Sequence, residues 1–251
     1  MEFLTEVSND EIWSNREKYL SFLQKNTNMI QSFDLLIETL KRQKLFINEI
    51  DYQVGDIGCG TGWAGEMFCS KIKNSSLFLV DTSLEFKYYF DKENNLLLKN
   101  KKSVHYKKGK FANLPFEDSI FDVLIYNASI HHETNLYDAL KESSRVLKKD
   151  GILIISNEHF LKELDFIFCF LKKNIRLLLN TFKNEKFPQS ISNVFIEYDG
   201  RLGDRYYRRR FFKQLVKDIG FLKLDIIDTP FKPYKKKFTE YKLSHFIYKK
   251  I

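Results

Sequence analysis

The sequence predicts one α/β domain built on a mostly parallel sheet that helices cover on both faces. Three observations support this fold class. Short apolar runs alternate with helical stretches between residues 50 and 157, a glycine cluster directly follows the first run, and two more strand-like runs close the chain. Parallel strands need crossovers that pack on the sheet faces, so such alternation is typical of a doubly covered sheet. The 251 residues suffice for one such domain with a modest insertion.

The first 49 residues are predicted to form a helical extension. Ser8 and Glu11 have the spacing of a capping box, which marks the start of a helix. Apolar residues then recur at helical spacing at Ile30, Phe33 and Ile37. Residues 8–48 are therefore expected to be mostly helical.

Seven strands are predicted after this extension, because short apolar runs are bounded by turn residues or by helical stretches. They span residues 52–57, 77–80, 104–106, 121–126, 152–156, 221–228 and 243–249, and the core helices span 64–72, 83–90, 135–147 and 210–219. A turn at Asp150 and Gly151 precedes the fifth strand. A short loop containing Pro230 and Pro233 joins the last two strands, which predicts an antiparallel pair.

The alternation stops between residues 158 and 209, where a long aromatic and basic stretch has no strand-helix repeat. We interpret this stretch as an insertion after strand five. The domain then divides into helices at 1–49, a core at 50–157, the insertion at 158–209, and a closing helix with two strands at 210–251.

Composition argues against several classes of protein. The net charge of +8 comes from lysines scattered along the chain, which is typical of a solvated surface. The three cysteines lack the spacing of metal ligands or of a disulfide framework, so no metal is expected. The acidic N-terminus does not resemble a signal peptide, and the apolar stretch 161–179 contains too many charges to span a bilayer. We therefore expect a cytoplasmic protein without a membrane span.

A glycine cluster and a later acid predict a nucleotide site. Asp56–Gly62 lies where the first strand turns into the first helix, and glycines there let the backbone approach a ligand closely. Asp81 ends the second strand, where a carboxylate can accept hydrogen bonds from ribose hydroxyls. Its alternative role is to cap the helix at 83–90. Trp63 stands where the dinucleotide fingerprint needs a small residue, which argues against NAD.

The pattern acid-x-Gly-x-Gly-x-Gly resembles the class I S-adenosylmethionine-dependent methyltransferases, specifically the type 11 group. The resemblance continues through Asn113–Phe116, Phe121–Asp122, His131–His132 and Leu147–Gly151, and so covers residues 50–157. It implies a Rossmann-like seven-stranded fold, S-adenosyl-L-methionine as cofactor, and a substrate-recognition cap formed by the insertion. The implied cofactor-binding residues are Asp56, Gly58, Cys59, Gly60, Gly62, Trp63, Asp81, Thr82, Lys110, Phe111 and Asn127.

The sequence departs from this family at two positions. Gly55 replaces a bulky apolar residue of the first strand, and Lys110 stands where the family often has an acid near the adenine. The backbone around Lys110 and Phe111 then becomes the expected adenine contact. After strand four the chain has Asn127-Ala-Ser-Ile where enzymes that methylate exocyclic or amide nitrogen often carry Asn-Pro-Pro-Tyr.

His131 and His132 are the candidate catalytic residues. Methyl transfer to a neutral hydroxyl requires a base that removes the proton, and a histidine next to the site suits this role. By resemblance, His132 matches the commoner histidine of the family and is the predicted base. The alternative is that both histidines only shape the loop.

Arginines near the end of the insertion are candidates for binding the acceptor. Arg205, Arg208 and Arg209 are predicted to share one helix face, from which guanidinium groups can bind phosphate in a bidentate manner. Tyr206 is a further candidate. The alternative is that the arginines are solvated or pair with Asp199 and Asp204.

The predicted function is methyl transfer to a small acceptor, namely an oxygen of an anionic metabolite such as a phosphorylated or nucleotide-linked sugar precursor. Two alternatives stay open. The basic isoelectric point suits an RNA methyltransferase, although no added RNA-binding module is recognisable. A non-catalytic partner subunit that binds the cofactor would carry the same cofactor motifs.

Overall fold

A computed structural model describes residues 16–46, 51–72, 75–82, 103–164, 166–167, 194–199, 202–230 and 242–251. The predicted capping box at Ser8, the helix predicted at 83–90, Cys169 and most of the insertion lie outside these ranges. Within them, no helix is both long and apolar enough to cross a bilayer.

The described elements of the core and of the closing part follow the predicted order, and the insertion contains two strands that were not predicted. The helices are α1 (Arg16–Asn26), α2 (Met29–Arg42), α3 (Trp63–Lys71), α4 (Leu136–Val146) and α5 (Arg209–Asp218), with a 3₁₀ turn at Ile130–His132. The strands are β1 (Tyr52–Ile57), β2 (Ser75–Asp81), β3 (Ser103–Lys108), β4 (Phe121–Asn127), β5 (Leu147–Glu158), β6 (Val194–Asp199), β7 (Leu202–Tyr207), β8 (Phe221–Pro230) and β9 (Lys242–Lys250).

Seven strands form one sheet in the order β3-β2-β1-β4-β5-β9-β8. Neighbouring strands from β3 to β5 run parallel, whereas β9 is antiparallel to both β5 and β8. The predicted seven-stranded, mostly parallel sheet is thus confirmed. The strand order reverses between β1 and β4, and ligands of open α/β sheets bind in the crevice at such a reversal.

Apolar layers cover both faces of the sheet. On one face, Phe33 and Leu36 of α2 and Phe68 of α3 are fully buried in one cluster with apolar residues of β1, β2, β4 and β5. On the other, Leu140 of α4 and Phe212 of α5 are fully buried against β4, β5 and β9. Helix α2 of the predicted N-terminal extension is therefore part of the core, and it contacts both β5 and β9.

Two positions in the core strands differ from the sequence prediction or from the family pattern, and the structure gives the reason for each. The turn predicted at Asp150 lies inside β5, where the pairing with β4 jumps from Phe121–Leu147 to Val123–Ile152 and Asp150 has φ +65°. Position 55 suits glycine because a Cβ there would lie 2.7 Å from the Leu124 side chain. Leu124 thus fills the space that a bulky residue at position 55 would need.

A buried polar cluster joins α2 to the last two strands. His245 of β9 is fully buried, and its Nε2 lies 2.7 Å from Ser32 Oγ and 3.3 Å from Thr229 Oγ1. Ser32 Oγ also contacts Thr229 Oγ1 directly. Burial lowers the pKa of His245 to about 4, so its ring is neutral in the folded protein at neutral pH.

The stability of the protein should fall as the pH drops from about 6.5 towards about 4. In that window the unfolded chain protonates His245 while the folded state keeps it neutral, so acid favours unfolding. The pKa difference corresponds to a contribution on the order of 3 kcal/mol. Urea unfolding at several pH values should show a flatter pH dependence for His245→Gln. His105→Gln, at an exposed position, is the control, and parallel profiles for His245→Gln and the wild type would contradict the prediction.

Candidate cofactor and acceptor site

The glycine loop after β1 adopts a conformation that favours glycine. Gly58, Gly60 and Gly62 have φ of +68°, +49° and +69°, a region that side chains disfavour. The amides of Gly58 and Cys59 donate to the Val80 carbonyl at 2.8 and 3.0 Å. The loop is therefore held over the end of β2, and α3 begins directly behind it.

The loop is packed on one side and open on the other. A Cβ at Gly58 would lie 2.8 Å from both the Phe111 ring and Ser129 Cβ, so a side chain cannot fit there. A Cβ at Gly60 would meet no atom within 4 Å. Gly60 therefore faces open space, which a ligand lying along the loop can occupy.

Asp81 links the loop to the second strand. Its Oδ2 accepts a 2.9 Å hydrogen bond from the Gly60 amide, and its Oδ1 lies 3.5 Å from Thr82 Oγ1. The Asp81 carbonyl accepts from the amide of Gly109, which brings the loop containing Lys110 and Phe111 beside it. Asp81 is partly exposed, so its carboxylate can also accept hydrogen bonds from a ligand.

Asp56 lies beneath the loop in a buried position. It is 1% exposed, and Oδ2 accepts a 2.9 Å bond from the Gly65 amide while Oδ1 has no hydrogen-bond partner. Burial, with a smaller contribution from the Asp81 charge, raises the pKa of Asp56 to about 7. A buried acceptor without a donor, below a loop open to a ligand, fits a nucleoside cofactor that brings polar groups to this place.

The remaining predicted cofactor residues differ in whether their backbone or their side chain is engaged in the protein. Lys110 pairs with Asn113 through the backbone, and the Phe111 ring packs edge-on against Tyr126. The side chains of Cys59 and Trp63 are buried, and Trp63 packs against Phe33 of α2. The Trp63 side chain is thus part of the core.

Asn127, at the end of β4, lies in a hydrogen-bond network with the end of β5. Its Oδ1 accepts from Ser156 Oγ at 2.9 Å and from Asn157 Nδ2 at 2.8 Å. Asn157 Nδ2 also donates to the Met29 carbonyl of α2 at 3.1 Å. The first turn of α2 therefore contributes to the construction of this part of the site.

His131 is paired with a buried carboxylate. Glu158 is 1% exposed, and its Oε2 lies 2.9 Å from His131 Nδ1. Glu158 Oε1 accepts from the amides of Ser129 and Ile130 at 2.9 and 3.1 Å. With Nδ1–H donated to Glu158, the lone pair of the neutral ring lies on Nε2, which can accept a proton.

His132 occupies a different environment. Burial, with a smaller contribution from the His131 charge, lowers the pKa of His132 to about 4. Its carbonyl accepts a 2.9 Å bond from Arg205 Nη1, and the Tyr207 hydroxyl donates to the neighbouring Glu133 carbonyl at 2.7 Å. These bonds attach strand β7 to the 3₁₀ turn at Ile130–His132 and the residue after it, here called the histidine turn.

No group of side chains in the described ranges has an arrangement that could hold a metal ion.

The predicted helix face carrying the arginines is wrong. Arg205 and Tyr206 lie in β7, Arg208 precedes α5 and Arg209 begins it, because residues 202–207 pair with β6 as a hairpin. Arg208 forms an ion pair with Glu163, and Arg209 Nη1 lies 2.9 Å from Asp228 Oδ2. Glu163 and Asp228 are thus carboxylate partners of Arg208 and Arg209 in the described part of the chain.

Sequence reasoning missed Ser156, Asn157 and Glu158. They fall at the junction that we assigned to the end of strand five and the start of the insertion. The available signal was a run of three polar residues directly after an apolar strand, at the sheet edge where His131 and Asn127 also lie.

The fold and the site together define a protein that binds a nucleoside-containing cofactor at the switch point of an open α/β sheet. Residues 55–155 match the sequence profile of the methyltransferase domain family. This part of the chain is a methyltransferase domain, and the fold is that of the class I S-adenosylmethionine-dependent methyltransferases.

One related protein is the ubiquinone/menaquinone biosynthesis C-methyltransferase UbiE of Campylobacter jejuni, which is 32% identical over 107 residues. That alignment covers 42% of this chain and 44% of the relative, so the chain spans less than half of that protein.

Two solved structures share the fold. An S-adenosylmethionine-dependent methyltransferase from Methanosarcina mazei has a TM-score of 0.60 at 18% identity, over 80% of this chain and 93% of the other. The 1,6-didemethyltoxoflavin-N1-methyltransferase of Burkholderia thailandensis, solved with bound 1,6-didemethyltoxoflavin and S-adenosylhomocysteine, has a TM-score of 0.58 at 14% identity, over 98% of this chain and 88% of the other. At these identities the likeness concerns the fold.

Proposed function

We propose that the protein transfers a methyl group from S-adenosyl-L-methionine to a small-molecule acceptor. The observation that carries this proposal is the pairing of Asp81 with the Gly60 amide beside open space at the glycine loop. A carboxylate at this place can accept hydrogen bonds from ribose hydroxyls while it holds the loop against the ligand. When bound, the cofactor supplies an electrophilic methyl group on a sulfonium sulfur.

The cofactor assignment is supported by the fit of the described residues. Gly58 and Gly60 allow the ligand to approach the backbone, Asp81 is placed for the ribose, and the loop around Lys110 and Phe111 lies beside Asp81. The bound S-adenosylhomocysteine of the Burkholderia enzyme, which has the same fold, also supports it.

His131 is the better candidate for the base in this reaction. Its pairing with Glu158 orients the ring and stabilises the protonated form that arises when it takes a proton. His132 has a pKa of about 4 and is a weak base at neutral pH. The role predicted for His132 therefore passes to its neighbour in this proposal.

An anionic acceptor remains part of the proposal, with fewer residues to bind it. Arg208 and Arg209 already pair with carboxylates, so a phosphate would have to compete with Glu163 and Asp228. Arg205 in β7 donates to the His132 carbonyl, so it lies next to the histidine turn and is better placed. A phosphorylated or nucleotide-linked sugar precursor would therefore be recognised mainly by Arg205, because the next strand residue, Tyr206, is directed to the opposite face.

Transfer of a labelled methyl group tests the proposed function. The purified chain is incubated with labelled cofactor and a small-molecule extract from cells that lack this protein, and the labelled product is identified. A parallel reaction with total RNA tests the RNA alternative. Label in a small molecule supports the proposal, label in RNA contradicts it, and a folded protein that binds the cofactor without turnover indicates a non-catalytic subunit.

Replacement of Asp81 by alanine should weaken cofactor binding by on the order of 1 to 3 kcal/mol, because hydrogen bonds to a charged group are lost. Calorimetry with S-adenosylhomocysteine measures this change. The control is Asp118→Ala. Asp118 is exposed and lies far from Asp81 in the sequence, so its replacement should leave the affinity unchanged. Wild-type affinity in a folded Asp81→Ala variant would refute the ribose role.

A further inference from the structure

We propose that Asn127 offers a hydrogen-bond donor to the methyl acceptor and thereby selects an oxygen nucleophile over an amine nitrogen. This inference rests on the proposed function and concerns the same site. It depends on which end of the Asn127 amide is engaged by the protein.

The orientation of Asn127 follows from a chain of hydrogen bonds that starts at the backbone. The Met29 carbonyl can only accept, so the Asn157 atom 3.1 Å from it is the amide nitrogen. The same nitrogen lies 2.8 Å from the Asn127 side chain, so the Asn127 atom facing it must be the oxygen. Reversal of Asn127 would place two amide nitrogens against each other.

The oxygen of Asn127 is already saturated within the protein. It accepts from Asn157 Nδ2 and from Ser156 Oγ, which account for its two lone pairs. Ser156 is 0% and Asn157 is 2% exposed, so this network lies in the interior, whereas Asn127 itself is partly exposed. The group that Asn127 can offer to a ligand is therefore Nδ2, a donor.

The same arrangement leaves one buried acceptor of the network unsatisfied. With its nitrogen turned to Met29 and Asn127, Asn157 keeps its own Oδ1 buried without a hydrogen-bond partner. Leaving a buried acceptor unsatisfied lowers stability. The orientation of Asn157, which determines that of Asn127, is thus maintained although it leaves this acceptor unsatisfied.

A donor at this position suits an oxygen nucleophile. A hydroxyl oxygen has two lone pairs: one forms the new bond to the methyl carbon, and the other accepts from Asn127 Nδ2. The methyl–sulfur bond breaks with its electron pair left on sulfur, and the hydroxyl proton passes to His131. A neutral amine has a single lone pair, which the attack consumes, so a neighbouring donor has nothing to bind.

The residues that hold Asn127 and the proposed base are neighbours at the end of β5. Asn157 and Glu158 are consecutive residues of β5, and they hold Asn127 and His131 respectively. Asn127 is the last residue of β4, and His131 lies four positions after it. One strand end thereby positions the donor and the base together.

The test uses the 251-residue chain and cofactor carrying a carbon-13 methyl group, with the extract assay described above. The carbon-13 chemical shift of the product distinguishes an O-methyl from an N-methyl or C-methyl group. We expect an O-methyl product, and an N-methyl or C-methyl product would overturn the inference while the proposed function stands. Absence of transfer by a folded, cofactor-binding protein would overturn both.

A variant tests the part played by Asn127. Asn127→Asp keeps the oxygen that accepts from Ser156 and Asn157 but replaces the donor with an acceptor. We expect turnover of the labelled acceptor to fall by roughly 100-fold or more, with affinity for S-adenosylhomocysteine within about threefold of wild type. Asn135→Asp, the same change at the N-cap of α4, is the matched control and should retain turnover. An equal loss of cofactor affinity would place Asn127 on the cofactor and overturn the inference, as would unchanged turnover.

Discussion

His131→Ala is expected to lower turnover by roughly two to four orders of magnitude, while cofactor affinity stays close to that of the wild type. The reason is that the imidazole paired with Glu158 would remove the hydroxyl proton, and alanine has no group that can do so. Single-turnover rates with saturating cofactor, together with calorimetry, separate the loss of chemistry from a loss of binding.

Two variants distinguish this role from a structural one. His132→Ala alters the same turn but leaves the His131–Glu158 pair, so its loss of turnover should be clearly smaller. Glu158→Gln should lower turnover by disturbing the orientation and charge stabilisation of His131, and combining it with His131→Ala should add little. A greater loss for His132→Ala than for His131→Ala would return the role of base to His132.

Gly60→Val is expected to reduce cofactor affinity by more than roughly 100-fold, because the side chain would occupy the space beside the loop that the ligand needs. A Cβ at position 60 meets no protein atom within 4 Å, so the cost to the protein itself is mainly the backbone strain of a side chain at φ +49°. Calorimetry with S-adenosylhomocysteine measures the loss of binding.

Gly220→Val provides a matched control for this substitution. Gly220 also has positive φ, +103°, and also has no atom within 4 Å of a Cβ position, but it lies between α5 and β8, away from the glycine loop. It reports the backbone strain of valine at positive φ without a ligand nearby. Equal cofactor affinities in the two variants would contradict the assignment of the loop.

Much of the core could be predicted because its signals are local. The predicted strand at 52–57 coincides with β1, and the other core strands agree apart from their ends, since each is a short apolar run between turn residues. The glycine loop was predictable because positive φ at Gly58, Gly60 and Gly62 requires a residue type that the sequence displays directly.

The arginine prediction failed because it used spacing alone. Positions 205, 208 and 209 suit one helix face, but pairing with β6 makes residues 202–207 a strand. Strand pairing depends on a partner elsewhere in the chain, and tertiary contacts override local periodicity. Arg208 pairs with Glu163, which is far from it in sequence, and Arg209 pairs with Asp228, which belongs to β8.

The sequence by itself determined the α/β class, the glycine loop, the acid at Asp81 and the candidate pair His131–His132. Only the tertiary structure separated the two histidines, since Glu158 reaches His131 across the ends of β4 and β5. It alone also oriented Asn127, through a hydrogen-bond chain from Met29 of α2 to Asn157 of β5. The sequence specifies each residue type directly. The proton affinity of a side chain and the choice between donor and acceptor depend on neighbours that folding brings from distant positions.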